Sequence, residues 1–214
     1  MTYSAREIYY TLQGEGAQTG RPAVFLRFAG CNLWTGREKD RARAVCKFCD
    51  TEFVGTDGPG GGKFRKAEEL AAAVASHWHV VSERNTPYVV CTGGEPLLQL
   101  DDEAIEALHE HGFEVGIETN GTLPAPAGTD WICVSPKAGA AVVQTSGDEL
   151  KLVYPQQERE AQPERFEGLD FEHFFLQPLD DEHKDSNTKA TIEYCLEHPQ
   201  WKLSLQTHKL IGIA

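Results

Sequence analysis

Three cysteines have the residue type and spacing of a metal or cluster site: Cys31, then Cys46 and Cys49 after an interval of fourteen residues. Two thiolates separated by two residues lie on one turn, where they can bind a metal ion or one face of an iron–sulfur cluster. A closed zinc site or an ordinary four-iron ferredoxin cluster needs four protein ligands. Because no fourth ligand is obvious, three interpretations stay open: a cluster with one open iron, a Cys₃His zinc site, or thiols packed in the core.

Five short polar segments follow predicted strands, and together they could form one binding site. The carboxyl ends of parallel strands lie on one side of an α/β sheet, where ligands bind, so we expect the five segments to converge. Loops are polar in most proteins, so the prediction depends on the common placement of the segments rather than on any single one. The segments are 92–96, 118–121, 135–137, 177–180 and 206–209.

The elements that must position these segments alternate between strand and helix, which is typical of a mostly parallel sheet covered by helices. A closed eight-fold barrel takes about 250 residues, and this chain has 214. We therefore predict a single α/β domain, built as a partial barrel or an open sheet. The predicted strands are 23–28, 87–91, 113–117, 130–134, 150–153, 173–176 and 201–205, the predicted helices are 66–78, 101–111 and 187–197, and glycine-rich 55–63 is predicted to be a mobile loop.

Composition and charge argue against several classes of protein. The formal net charge of −13 argues against a nucleic acid as the main partner, because the phosphate backbone attracts basic surfaces. No apolar run approaches the roughly 20 residues that span a bilayer, and the N-terminus lacks the pattern of a signal peptide. We therefore expect a cytoplasmic protein with no membrane partner. Disulfides are rare in that compartment, so Cys91, Cys133 and Cys195 are predicted to pack in the core.

The cysteine triplet, with the aromatic Phe48 directly before its last member, and the Gly-Gly-Glu-Pro segment at 93–96 together resemble radical S-adenosylmethionine enzymes. Further motifs, spread over nearly the whole chain, resemble one family of them, the 7-carboxy-7-deazaguanine synthases, in the subset with an expanded cysteine loop. These motifs are Leu-Gln-Gly-Glu-Gly at 12–16, Cys-Asp-Thr at 49–51, Glu-Thr-Asn-Gly at 118–121, Ser-Pro-Lys at 135–137, Gln-Pro-Leu-Asp at 177–180 and Gln-Thr-His-Lys at 206–209.

The resemblance implies a fold and two cofactors. The fold is a partial, contracted radical-SAM β/α barrel over residues 1–214, with 31–49 as the cluster-binding loop and 200–214 as a segment that closes the substrate pocket. A [4Fe-4S] cluster would be bound by Cys31, Cys46 and Cys49, and its open iron would bind S-adenosylmethionine (SAM). The residues expected to contact SAM are Phe48, Gly93, Gly94, Glu118, Ser135, Pro136, Lys137, Gln177, Pro178, Leu179 and Asp180.

The implied reaction is that of a carbon–nitrogen lyase, which converts 6-carboxy-5,6,7,8-tetrahydropterin to 7-carboxy-7-deazaguanine, a queuosine precursor, with loss of ammonia. Thr51 is expected to hold a Mg²⁺ ion that also binds the substrate. The residues expected at the pterin are Leu12, Gln13, Gly14, Glu15, Arg27, Thr92, His208 and Ala214, the last through its terminal carboxylate.

Some of these residues also have simpler explanations. Arg27 lies in an apolar strand, where it could form either an internal salt bridge or a bidentate contact with the substrate carboxylate. Gln13 and Glu15 could belong to an ordinary surface turn.

We expect a homodimer and an acidic, flavodoxin-type electron donor. Four bases of the cysteine loop could form the docking surface for the donor, although such a run is usually a solvated helix face. These bases are Arg37, Lys39, Arg41 and Arg43. The competing functions are an activating enzyme that places a radical on a partner protein, a non-enzymatic iron–sulfur electron carrier, and a zinc-stabilised binding module.

Overall fold

The structure, a computed structural model, describes residues 2–80 and 86–213. Its nine strands form one sheet, and four α-helices accompany them in this part of the chain. The strands are β1 (Tyr3–Leu12), β2 (Pro22–Phe28), β3 (Gly62–Phe64), β4 (Tyr88–Gly93), β5 (Glu114–Thr119), β6 (Trp131–Val134), β7 (Ser146–Tyr154), β8 (Asp170–Pro178) and β9 (Trp201–Leu203), and the helices are α1 (Ala67–Ala75), α2 (Asp102–Glu110), α3 (Lys184–Glu197) and α4 (Thr207–Ile211).

The strand order is β3-β1-β2-β4-β5-β6-β7-β8-β9. From β2 to β9 every neighbouring pair is parallel, whereas β1 runs antiparallel to both β2 and β3. Spatial order follows chain order from β4 to β9, and β3 and β9 are the two edges, so the sheet is an open partial barrel. The predicted α/β class with a mostly parallel sheet is confirmed.

Two apolar cores lie on the outer face of this sheet. The first packs α1 and α2 against the N-terminal strands, with Leu70, Val74, Ile105 and Leu108 all buried. The second lies under β6 to β9 and includes the fully buried Trp201. A fully buried leucine, isoleucine or valine side chain, as in the first core, contributes about 1.5–3 kcal/mol to stability. The helices therefore cover one face, and the other carries polar groups beside a small apolar cluster around Val90.

Residues in the strands alternate between the cores and the inner, concave face of the sheet, as the period of a β-strand requires. In β7, Leu150 and Leu152 belong to the second core, so Lys151 between them points to the inner face. Arg27 in β2 and Glu118 in β5 follow the same pattern, and all three side chains line cavities there. Charged residues inside apolar strands thus converge on the concave side.

The sequence prediction missed β1, β3 and α4. Strand β1 carries Arg6 and Glu7 among its apolar residues, which weakens the apolar pattern. The predicted loop 55–63 is hydrogen-bonded to β1 through Gly58 and Pro59, and it ends in β3. The prediction that His208 lies at a strand end was wrong, because the chain turns after β9 and His208 lies in α4. No helix in the described ranges is long and apolar enough to cross a membrane.

Candidate active site

Two adjoining cavities open at the carboxyl ends of the parallel strands. The first, of about 210 Å³, contains Cys31, Cys46 and Cys49 and is called the cysteine cavity here. The second, of about 310 Å³, contains Arg27 and is called the arginine cavity. The residues that line both cavities form a shared wall: Glu15, Asp50, Thr51, Thr92, Glu118 and Gln206.

The three cysteines come from two turns. Cys31 follows β2 after Gly30, whose φ of +92° lies in the left-handed region that favours glycine. Cys46 and Cys49 follow a short 3₁₀ helix, Glu38–Arg43. A hydrogen bond between the two thiols lowers the pKa of Cys49 to about 6 and raises the pKa of Cys46. Since the thiolate is the form that binds metals, sharing of a proton between the two thiols favours one thiolate in the pair.

Arg41 holds the cysteine loop together. Its guanidinium donates to the backbone carbonyls of Lys47, at 2.8 Å, and of Cys49, at 3.0 Å. It also pairs with Glu38 at 2.8 Å and lies 4.2 Å from the centre of the Trp34 ring. The half-buried Arg41 therefore belongs to the internal structure of the loop, whereas Arg37, Lys39 and Arg43 are exposed.

The cysteine cavity fits a cluster better than a single zinc ion. The three sulfur atoms do not all lie within 4.8 Å of one another, and among residues 2–80 and 86–213 no histidine or carboxylate completes a compact set with them. The buried Nε1 of Trp34, which also lines this cavity, has no hydrogen-bond partner in the described chain. A Cβ added to Gly94 would collide with the carbonyl of Gly30 and lie 2.7 Å from Cβ of Cys31. The cavity is thus lined by thiols, the Trp34 ring and bare backbone.

Glu95 braces two of the motifs from behind. Its side chain is fully buried and accepts hydrogen bonds from Oγ1 of Thr119 at 2.7 Å and from the backbone N–H of Asn120 at 2.8 Å. It also caps the following turn by accepting from the N–H of Leu97. Burial raises the pKa of Glu95. This residue therefore joins segment 93–96 to segment 118–121, a role that the sequence did not reveal.

The structure brings together nearly all residues expected at SAM. Lys137 donates to the backbone carbonyl and to Oγ of Ser135, both at 2.6 Å, and burial lowers the pKa of Lys137. Pro136 between them is buried and is not among the residues that line the cavity. The residues that do line the cysteine cavity are Phe48, Gly93, Gly94, Glu118, Ser135, Lys137, Gln177, Pro178, Leu179 and Asp180.

Seven of the residues expected at the pterin line the arginine cavity, as does Thr51, the residue expected at Mg²⁺. The seven are Leu12, Gln13, Gly14, Glu15, Arg27, Thr92 and His208. Ala214 lies outside the described residues. Nε of Arg27 donates to Glu7 at 2.7 Å, and Nη2 donates to the hydroxyl of Tyr9 at 3.0 Å. The internal salt bridge considered for Arg27 is therefore present, and the same side chain still faces the cavity.

Gln13 and Glu15 do not form an ordinary surface turn. Gln13 is buried and donates to Oε1 of Glu118 at 3.0 Å. Glu15 pairs with Lys151 at 2.8 Å and accepts from Gln206 at 3.0 Å. Burial by itself would raise the pKa of Glu15, but the charge of Lys151 outweighs it and lowers this pKa to about 2. Both side chains are thus held by the protein, and Glu15 is a carboxylate.

The C-terminal segment closes over this turn. Thr207 donates through its N–H, at 2.9 Å, and through its hydroxyl, at 2.8 Å, to the carbonyl of Gly14. The ring of His208 packs on the same glycine, so that a Cβ there would lie 2.9 Å from its Cγ. Lys209 pairs with both Asp50 and Asp180 at 2.6 Å. Segment 206–209 therefore contacts the walls of both cavities.

Several site residues were missed by the sequence analysis. Lys151 gave a usable signal, because a charged residue between Leu150 and Leu152 in an apolar strand must face a polar partner. Glu7 gave none. Lys209 belongs to the Gln-Thr-His-Lys motif, but its partners could not be predicted because they are distant in sequence. The pairing Lys209–Asp50, for example, spans 159 residues.

Comparisons with known proteins agree with this geometry. The model of the Radical SAM superfamily matches residues 41–151, beginning after Cys31. The 7-carboxy-7-deazaguanine synthases of Caulobacter vibrioides and Bordetella pertussis are 65% and 63% identical to this chain over the full length of both proteins. The crystal structure of QueE from Escherichia coli superposes with a TM-score of 0.74 at 29% identity, over 97% of this chain and 95% of that one. The chain therefore belongs to the 7-carboxy-7-deazaguanine synthase family of radical SAM enzymes.

Proposed function

We propose that this enzyme converts 6-carboxy-5,6,7,8-tetrahydropterin to 7-carboxy-7-deazaguanine with release of ammonia, using a [4Fe-4S] cluster, SAM and Mg²⁺. The observation that carries the proposal is the shared wall, across which the cavity of three cysteines adjoins the cavity that contains Arg27. A cofactor bound in the first cavity would face a substrate bound in the second. Family membership supports the reaction and favours it over an electron carrier or a zinc module.

In the cysteine cavity, Cys31, Cys46 and Cys49 would bind the cluster, and the ten lining residues named above would hold SAM. When bound, these cofactors supply one-electron cleavage of SAM and removal of a hydrogen atom from the substrate. The chain itself would orient and shield them. Segment 93–96 offers bare backbone beside the cysteine loop, and Glu95 fixes that backbone to segment 118–121.

In the arginine cavity, Arg27 would bind the carboxylate of the pterin through a charge-assisted contact. Glu7 and Tyr9 fix the plane of its guanidinium from the side. Thr51 would hold a Mg²⁺ ion that also binds a substrate oxygen, and its position on the lining of both cavities supports this role. Leu12, Gly14, Thr92 and His208 would form the remaining walls around the ring.

We further propose one domain over residues 1–214, with 31–49 as the cluster-binding loop and 200–214 as the segment that closes the substrate pocket. The bonds from Thr207 to Gly14 support the closing role of the segment. A homodimer and a flavodoxin-type donor remain part of the proposal, with the donor docking on the exposed bases Arg37, Lys39 and Arg43. The six free thiols suit the cytoplasm, which is reducing.

The test is an anaerobic assay of the reconstituted protein with 6-carboxytetrahydropterin, SAM, Mg²⁺ and dithionite, with the product identified by mass. We expect 7-carboxy-7-deazaguanine to form and to disappear in Cys31→Ala, Cys46→Ala and Cys49→Ala. Cys195→Ala, at a half-buried thiol of α3, is the matched control and should keep both iron and product. SAM cleavage without this product would overturn the proposed substrate. A wild-type protein that takes up no iron would overturn the cluster.

A further inference from the structure

A buried ion pair network centred on Lys151, which lines the cysteine cavity, includes two carboxylates of the shared wall. This residue is 3% exposed, and its ammonium lies 2.8 Å from Oε2 of Glu15 and 2.9 Å from Oε2 of Glu118. Both carboxylates line both cavities. Lys151, which lies in β7, thus joins Glu15 in the turn after β1 to Glu118 near the end of β5.

Strand register places the network there. Glu118, Cys133 and Glu149 are register partners across the neighbouring strands β5, β6 and β7, and they form a row on the inner face. Lys151 lies two residues beyond Glu149 on the same face of β7, nearer the carboxyl end. Glu149 in turn accepts from the N–H of Ala17 at 2.7 Å, which anchors the turn that carries Glu15.

Each carboxylate of the network also accepts from neutral amides. Gln13 donates to Oε1 of Glu118, and Gln206 donates to Oε1 of Glu15, both at 3.0 Å. Oε1 of Glu15 also accepts from Gln177 at 3.3 Å. Lys151 therefore occupies one oxygen of each carboxylate, and an amide occupies the other. Both carboxylates are therefore fixed in orientation. Removing the cation would leave two partly buried negative charges without compensation, which is strongly unfavourable.

We propose that Lys151 is a positioning residue that couples the two cavities, holding Glu118 toward SAM and Glu15 toward the pterin. The inference rests on the proposed function, in which Glu118 contacts SAM, and on the expectation from the sequence that Glu15 contacts the pterin. Hydrogen transfer requires the two reacting carbons to be held at close range, and small displacements slow such steps strongly. Lys151 would set the relative position of the two ligands because its ammonium contacts both of the carboxylates that face them.

The test compares Lys151→Met, which keeps the length of the side chain without its charge, with Lys151→Arg. The control is Lys189→Met, the same change at a side chain of α3 that is 79% exposed. One readout needs no turnover: binding of fluorescent 6-carboxypterin to the protein. The other is 5′-deoxyadenosine released per molecule of product. For Lys151→Met we expect the dissociation constant of 6-carboxypterin to rise by about tenfold or more, as for loss of a buried charge partner. We also expect more 5′-deoxyadenosine to be released per molecule of product. Lys151→Arg should restore part of the pterin affinity and part of the coupling, and Lys189→Met should match the wild type in both.

Wild-type values of both readouts in a folded Lys151→Met protein would overturn the inference. If that variant does not fold, the double variant Lys151→Met/Glu118→Gln replaces it, because it removes one of the uncompensated carboxylates. The double variant should fold and bind iron, and its release of 5′-deoxyadenosine should remain uncoupled from product formation. Wild-type coupling in the double variant would also overturn the inference. If the wild type itself neither binds the pterin nor forms product, the proposed function fails instead. The inference is then tested by EPR of the reduced cluster, whose spectrum should change when SAM is added. If Lys151 positions Glu118 toward SAM, this change must differ between Lys151→Met and the wild type.

Discussion

The guanidinium of Arg41 donates a hydrogen bond to the backbone carbonyl of Cys49, 3.0 Å away and eight residues later in the chain. A second bond reaches the carbonyl of Lys47 at 2.8 Å. Hydrogen bonds that involve a charged group contribute about 1.5–3 kcal/mol each. Arg41 therefore preorganises the turn on which two of the three cysteines lie, and it does so from within the expanded loop itself.

Replacing Arg41 by Gln should reduce the iron content of the purified protein and slow turnover with every reductant, because the cysteine turn loses both bonds. Iron per chain and turnover driven by dithionite or by flavodoxin are the measurements. Arg43→Gln, at a side chain that is 86% exposed, is the matched control and should keep full iron content. If it slows only turnover driven by flavodoxin, the exposed bases act in docking. Normal iron content in Arg41→Gln would contradict the structural role given to this arginine.

Gly94 lies against the cysteine loop so closely that no side chain fits. A Cβ there would collide with the carbonyl of Gly30 and lie 2.7 Å from Cβ of Cys31. Gly94→Ala should therefore displace the backbone at Cys31 and lower iron content and SAM binding together. Gly62→Ala is the matched control, since its Cβ would meet only the ring of Phe64 at an ordinary 3.5 Å. The close packing described here would be wrong if Gly94→Ala bound iron and SAM as the wild type does.

Lys209 links three parts of the site, because it lies next to His208 and pairs with Asp50 and with Asp180 at 2.6 Å. Partly exposed ion pairs contribute only about 0.2–1 kcal/mol to stability. Lys209→Met should thus leave the melting temperature nearly unchanged but raise KM for the pterin severalfold, and the wild-type KM should rise with added salt. Lys184→Met removes another lysine from Asp180 without touching α4, so it is the control. Equal effects of the two variants on KM would show that Lys209 does not hold the C-terminal segment.

Glu15 makes folding stability depend on acid pH. Its pKa falls from 4.5 to about 2 in the folded protein, so its contribution is complete above pH 4.5 and is lost as the pH falls toward 2. The shift corresponds to about 3 kcal/mol. Glu15→Gln should be less stable than the wild type at pH 6, yet its free energy of unfolding should decrease less steeply between pH 5 and pH 3.

Urea unfolding at a series of pH values measures this dependence. Glu193→Gln makes the same change at an exposed carboxylate of α3 and should follow the wild-type curve. Parallel curves for the wild type and Glu15→Gln would show that Glu15 is not held as a carboxylate by Lys151.

The sequence by itself determined the class of fold and pointed to the three cysteines as one site, whereas the choice of a cluster over zinc or core thiols came from the family resemblance. Apolar strands alternating with helices require a mostly parallel sheet, and polar segments at strand ends then meet on one side of it. In the structure, β4, β5 and β8 extend into these segments, so the strand ends differ from the predicted ones. The polar segments nevertheless converge on one side of the sheet, as predicted. Segment patterns such as 93–96 and 177–180 were recognisable because their residue types are local properties of the chain.

Only the tertiary structure decided which polar side chains pair with one another. Lys151 joins Glu15 and Glu118 because β5, β6 and β7 lie side by side in a particular register, and Lys209 reaches Asp50 because α4 folds back over the sheet. The side chain of Arg41 points into the cysteine loop because the loop path brings two backbone carbonyls within hydrogen-bond distance of its guanidinium. A charged residue in a sequence shows that it needs a partner, but the partner is chosen by strand order, register and loop path, which no local pattern encodes.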